Sequence, residues 1–204
     1  MEMNVMEFDR VAREVFAPVY PVIAEQIRIR TGITEGVCLD IGTGGGYLGI
    51  ALAGITDLAF CLMDKSPEML EIACANVTAS GLQNRIRTVL GDVHDIPRED
   101  ASVDLVISRG SLFFWEDKSR AFREIHRVLK PGGKAYVGGG MGTGELYQKI
   151  REEMERRNPE RHGDGKDGRF ADHRELYREA LNRAGITIYT LIRGDEGLWI
   201  QIGK

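Results

Sequence analysis

Cysteine is scarce in this chain, with three residues at positions 38, 61 and 74 and no Cys-x-x-Cys spacing among them. That excludes a disulfide framework and a thiolate metal cluster, and it fits buried thiols in a reducing cytoplasm. No apolar run approaches the roughly 18 residues a membrane helix needs, so no span is expected. Glu2, Glu7 and Asp9 interrupt the amino terminus, which argues against a signal peptide. Neither sign of charge dominates. Lys and Arg number 27 against 31 Asp and Glu, and the net charge is −4. A nucleic-acid binder held by phosphate contacts would be basic, so that class is disfavoured. Repeats and low-complexity segments are absent.

What remains is an ordinary globular composition, 43% hydrophobic and 28% charged over 204 residues. One domain is expected, burying about 70% of its unfolded surface. Residues 5–30 read as helix, with Val11, Val15, Val19, Ile23 and Ile27 four apart, and with Pro18 and Pro21 expected to break or kink it. Strands are expected at 37–41, 58–63, 86–90, 105–108 and 134–138. Helices are expected at 46–54, 66–80 and 117–129 between them. This alternation predicts an α/β, Rossmann-like doubly wound sheet with helices on both faces. After it come helices at 144–157 and 173–184, the second opened by Asp172-His173-Arg174-Glu175 as a capping box. Two β-like runs follow, 186–192 and 197–202. The link between them is too short for a parallel crossover, so the last strand must be antiparallel. The 151–178 stretch carries eight basic and eight acidic residues and reads as a solvated face.

Chemistry concentrates in Val37-Cys38-Leu39-Asp40-Ile41-Gly42-Thr43-Gly44-Gly45-Gly46. An apolar strand ends in an acid and enters a glycine turn where the backbone can pass close to a ligand. In open α/β sheets ligands bind at that end of the strands. A phosphate would be repelled by Asp40, whereas a cationic amino group would be attracted. Asp64 follows the second strand, 24 residues after Asp40, where an acid is placed to accept bonds from a ribose diol. Asp92, in Gly91-Asp92-Val93, follows the third strand and can receive an exocyclic amine. The three acids suit an adenosine with a positively charged tail.

These motifs resemble the class I S-adenosylmethionine (SAM)-dependent methyltransferases, of the ubiquinone/menaquinone-methyltransferase-like type. The resemblance rests on Asp40 to Gly46, Met63-Asp64-Lys65-Ser66-Pro67, Gly91-Asp92-Val93, Asp104 to Ser108, and Arg127-Val128-Leu129-Lys130-Pro131-Gly132-Gly133. It covers residues 33–140 motif by motif and the whole chain by element order. It implies a seven-stranded sheet with the last strand reversed, and one domain comprising a helical cap (1–32), a cofactor-binding core (33–140) and a carboxyl-terminal part (141–204). It implies SAM as cofactor and S-adenosylhomocysteine as product. Gly42, Thr43 and Gly44 would pass along the methionine part. Asp40 would position its amino group and Asp64 would hold both ribose hydroxyls. Asp92 and Val93 would read adenine, with Gly91 shaping that turn and Lys65 and Met69 near the ring. The Ser108 carbonyl would approach the amino group. Tyr20 or Phe16 from the amino-terminal helix would close over the cofactor.

Other segments leave choices open. Arg109 can bind a carboxylate or phosphate of the substrate, bind the SAM carboxylate, or form a structural salt bridge to Asp92, Asp95 or Glu116. Phe113, Phe114 and Trp115 either wall a substrate pocket or, for two of the three, pack the sheet. The glycines at 138–140 and 142 either admit a substrate or ease a crowded turn. His94 is a turn residue by the adenine or a general base, and His126 is expected to be exposed. Residues 157–171 form a lid or a surface loop. No metal-ligand spacing and no catalytic base stand out. The absence of a separate substrate domain favours a small-molecule acceptor. A partner protein or a second copy of the chain is left open as a way of completing the site. Two alternatives are a nicotinamide (NAD)-dependent oxidoreductase, since Gly44 to Gly49 fits G-x-G-x-x-G, and a non-catalytic SAM-binding module. Aminopropyl transfer would demand an acidic pocket after the fourth strand, and Arg109 opposes it.

Overall fold

The computed structural model describes residues 4–157, 173–195 and 197–204. The expected lid at 157–171, the capping residue Asp172 and Glu196 in the terminal turn fall almost wholly outside them. Helix α1 is Val5–Glu14, opened by the Asn4 side chain accepting from the Glu7 amide at 3.2 Å. Helix α2 is Val19–Thr31. The expected break therefore falls before Pro18. Pro21 lies in the first turn of α2, where a missing N–H costs no intrahelical bond, so it neither breaks nor ends that helix. Gly32, at φ 67°, closes α2 in a left-handed cap.

Seven strands follow: β1 Val37–Ile41, β2 Ala59–Asp64, β3 Ile86–Leu90, β4 Val103–Arg109, β5 Leu129–Gly139, β6 Tyr189–Gly194 and β7 Gly197–Gly203. Helices α3 Tyr47–Ala53, α4 Pro67–Ala79 and α5 Lys118–Val128 connect the first five, and α6 Gly144–Arg157 and α7 Arg174–Arg183 precede the terminal hairpin. Ser66 caps α4 through the Met69 amide and Asp117 caps α5 through the Arg120 amide. The sheet order is β3-β2-β1-β4-β5-β7-β6. Strands β1 to β5 pair in parallel, and β7 runs antiparallel to both β5 and β6. The reversed strand expected from the short terminal link is thus β7, inserted between β5 and β6. The order turns outward between β1 and β4, and that switch opens a crevice at the strands' carboxyl ends.

The core has two layers, one on each face of the sheet. Leu39, Ile41, Met63, Val106 and Val137 pack against α5 and α7. Cys38, Phe60, Leu62, Leu105 and Ile107 pack against α2, α3 and α4. Each such side chain contributes about 1.5–3 kcal/mol on burial. Strand alternation assigns Asp40 to the second face, beneath α3, and that placement explains its burial. Two sequence expectations fail here. Cys74 is exposed, because α4 turns Met69, Ala73 and Val77 inward and leaves Cys74 one position off that stripe. His126 is half-buried, and burial first and then the Lys204 charge lower its pKa.

Candidate functional site

Three carboxylates stand at the carboxyl ends of adjacent strands β1, β2 and β3. Asp40 is 2% exposed, and its Oδ2 accepts from the Thr43 hydroxyl at 2.7 Å. Burial pushes its carboxyl up to about 7; the nearby Asp64 charge adds to this, while the Thr43 hydroxyl and the Gly49 amide oppose it. Asp64 ends β2 and accepts from the Gly44 amide at 2.9 Å and the Ser66 amide at 3.0 Å. It ties the glycine turn to the start of α4. Asp92 is exposed and follows β3. Its Oδ1 meets the His94 amide at 2.8 Å and His94 Nδ1 at 2.5 Å. Burial opposes the shift, yet these His94 contacts hold the Asp92 carboxyl below its usual range. Val93 and Met69 are buried behind this edge, and Lys65 is exposed in front of it.

The glycines of the turn serve different ends. All three of Gly42, Gly44 and Gly46 have positive φ. A Cβ on Gly42 would run into Ser111, and one on Gly46 would sit 3.0 Å from Leu62. Gly44 alone of the three meets nothing closer than Phe8, 3.6 Å away and at ordinary van der Waals distance, so it is the least crowded of the three. At Gly42 and Gly46 the missing Cβ also serves the protein's own packing.

Behind the turn, hydroxyls bind the ends of β1 and β4 together. Ser108 Oγ lies 2.6 Å from Ser111 Oγ, which in turn bonds the Ile41 carbonyl and receives the Trp115 indole N–H. Trp115 is 6% exposed and packs edge-on against Phe122. Phe113 lies on Gly139, while Phe114 is exposed. Two of the three aromatics thus pack the fold. The last two glycines of β5 relieve crowding: a Cβ on Gly138 would strike the Leu198 carbonyl, and one on Gly139 would lie 2.9 Å from the Phe113 ring.

The amino-terminal helices cover the crevice. Phe8 lies over Gly44, and the Tyr47 hydroxyl donates to Asp9 at 2.7 Å. Tyr20 stacks on Tyr47 with centroids 5.3 Å apart, and burial raises its pKa to about 12. Arg109 forms none of the salt bridges considered from sequence. Its guanidinium lies over the Phe16 and Tyr20 rings, 5.2 and 5.4 Å from their centroids. Two cavities lie among the described residues. One of about 340 Å³ is lined by Asp92, His94, Asp95, Glu116, Asp117 and Arg120. The other, about 490 Å³, lies between α1 and α6. The described residues hold no cluster of ligands suited to a metal ion.

Residues 39–137 match the model of a methyltransferase domain. A crystal structure of a candidate SAM-dependent methyltransferase from Methanococcus maripaludis is 47% identical, with a TM-score of 0.93, over 98% of this chain and 92% of that one. This chain belongs to the SAM-dependent methyltransferase family. A ubiquinone/menaquinone biosynthesis C-methyltransferase of Geotalea daltonii is 33% identical over 50% of this chain and 45% of its own length. A 2-methyl-6-phytyl-1,4-hydroquinone methyltransferase of Oryza sativa is 35% identical over 48% of this chain and 28% of its own. The chain spans less than two thirds of these curated relatives. SAM is the cofactor of the family, and the donor set fits it: carboxylates stand where an ammonium and a diol would be held. No described helix is long and apolar enough to cross a membrane.

Sequence reasoning did not single out Phe8, Asp9, Tyr47, Ser111 or Met141 as parts of this region. None of them carried a periodic signal: Asp9 lies two positions from Val11, off the four-residue apolar spacing, yet is 8% exposed.

Proposed function

We propose that this chain binds SAM across the ends of β1, β2 and β3 and passes its methyl group to a small-molecule acceptor over β4 and β5. The observation that carries the reading is the row of Asp40, Asp64 and Asp92 on three adjacent strand ends, with the uncrowded Gly44 beside them. In this reading Asp40 faces the amino group, ionising as the ammonium arrives, while Thr43 orients it. Asp64 accepts from the ribose hydroxyls, and its existing bonds to Gly44 and Ser66 hold it in place for that. Asp92 and Val93 read the adenine edge at the Gly91 turn, with Met69 and Lys65 against the ring. The Ser108 carbonyl and Tyr20 complete the methionine end.

Bound SAM supplies a methyl already activated by a sulfonium, so direct in-line transfer needs alignment more than proton transfer. Alignment is worth on the order of 7–11 kcal/mol when the geometry is good. The covering by α1 and α2 supplies it by excluding water around Tyr20 and Tyr47. Residues 1–32 act as the cap, 33–140 as the cofactor-binding core and 141–204 as the remainder of one domain. The quinone- and hydroquinone-directed names of the relatives support a small acceptor. The buried, unpaired thiols of Cys38 and Cys61 support a cytoplasmic setting.

Calorimetric titration with SAM, S-adenosylhomocysteine and NAD tests the cofactor reading. Micromolar binding of the first two with no heat from NAD is expected, and NAD binding alone would overturn it. Transfer of labelled methyl to any acceptor then separates an enzyme from a binding module.

A further inference from the structure

Arg109 ends β4, and its hydrogen-bond partners lie on the far side of the crevice from the three acids. Its Nε donates to the Gly140 carbonyl at 3.1 Å and its Nη2 to the Met141 sulfur at 3.3 Å. Both partners follow β5. Asp40 and Asp64 lie at the ends of β1 and β2 and Asp92 just past β3, on the opposite side of the switch in strand order. A ligand laid along the acids therefore leaves Arg109 facing whatever occupies the β4–β5 end.

The chemistry of this arginine is unusual for the protein. Arg127, by comparison, is neutralised by Glu124 and Asp100, both at 2.7 Å. Among the described residues Arg109 has no carboxylate partner; its neighbours are two aromatic faces, a carbonyl and a thioether. The ring faces attract a cation but carry no net charge to balance it. Its Nη1 N–H groups bond to no described residue. Burial lowers its pKa, yet a guanidinium keeps its proton in proteins. The result is a fixed, partly desolvated fork of donors with one edge unused, and such a fork matches the paired oxygens of a carboxylate or phosphate.

We propose that Arg109 binds an oxyanion of the methyl acceptor, so that the acceptor is a small molecule carrying a carboxylate or phosphate. This rests on the methyltransferase reading of the site. Phe16, Tyr20 and Phe113 make the surroundings of that anion aromatic, so aromatic acids are suitable probes.

The test uses the full chain saturated with S-adenosylhomocysteine. Benzoate, phenyl phosphate and neutral benzamide are titrated while the Arg109 Nε–H resonance is followed by nitrogen-15 NMR. An anion should shift that resonance and bind at least about tenfold more tightly than benzamide, and the better anion identifies carboxylate or phosphate. Arg109→Gln should lose that preference, with S-adenosylhomocysteine affinity changed by less than about threefold. Arg109→Lys, which keeps the charge but not the fork, should recover part of it. An unmoved resonance in the wild-type protein would make Arg109 structural. A roughly tenfold fall in S-adenosylhomocysteine affinity in Arg109→Gln, with methylthioadenosine affinity unchanged, would assign Arg109 to the cofactor carboxylate and overturn the proposal. A wild-type protein that binds no S-adenosylhomocysteine at all would fail at the cofactor step, before Arg109 is examined.

Discussion

Replacing Asp40 by Asn should make the unliganded protein more stable at neutral and alkaline pH. The carboxyl rises from its ordinary 3.8 to about 7 because it is buried beneath α3. At about 1.36 kcal/mol per pKa unit, that rise amounts to about 4 kcal/mol. The direction follows from proton binding. Below the unfolded value both states hold the proton and nothing is lost. Between the two values the folded state alone holds it, so stability falls as pH rises, and the whole penalty is present above the folded value. Asn does not titrate, and its amide oxygen can keep the Thr43 bond. The stability difference between Asp40→Asn and wild type should therefore widen by about 2.5 kcal/mol from about pH 5 to about pH 8. Urea unfolding of both proteins at a series of pH values measures it, and taking the difference cancels the other titrating groups. A difference that stays within about 1 kcal/mol over that range would refute the burial argument. The same substitution should weaken S-adenosylhomocysteine binding and flatten its pH dependence, since only an ionised Asp40 offers a charge to the ammonium.

Two further substitutions separate the cofactor contacts from the cap. Asp64→Ala removes the acceptor shared by the Gly44 and Ser66 amides as well as the proposed ribose contact. SAM affinity by calorimetry should fall at least about tenfold, and an unchanged affinity would remove the ribose assignment. Tyr47→Phe leaves the buried Asp9 carboxylate without its 2.7 Å donor. It should cost about 1–3 kcal/mol and speed amide exchange in residues 5–14 before the rest of the sheet, whereas uniform exchange would show that this bond does not hold the cap.

The strands were legible from the sequence because buried parallel strands are short apolar runs bounded by turn residues. Val37 to Ile41 and Ile86 to Leu90 begin and end where the pattern places them. The helix starts were legible where a cap has its own chemistry, as at Ser66-Pro67. Pro21 misled because a proline's effect depends on where the helix begins, and packing of α2 against α3 helps to decide that. Cys74 misled because one residue of rotation on a helix exchanges inside for outside.

The sequence by itself determined the alternation of elements, the reversed last strand and the three acids at strand ends, because each depends on spacing along the chain. Only the tertiary structure decided which side of the crevice each group serves. The glycines look alike in sequence, but Gly42 yields to Ser111, Gly139 to Phe113 and Gly197 to the Gly139 backbone, while Gly44 only touches Phe8. Arg109 had three acids as candidate partners and met two aromatic rings instead, since its partners come from segments about 90 residues before it and 30 after it. Contacts between segments so far apart carry no periodic signal. They are set by how the sheet order brings the ends of β4 and β5 under the amino-terminal helices.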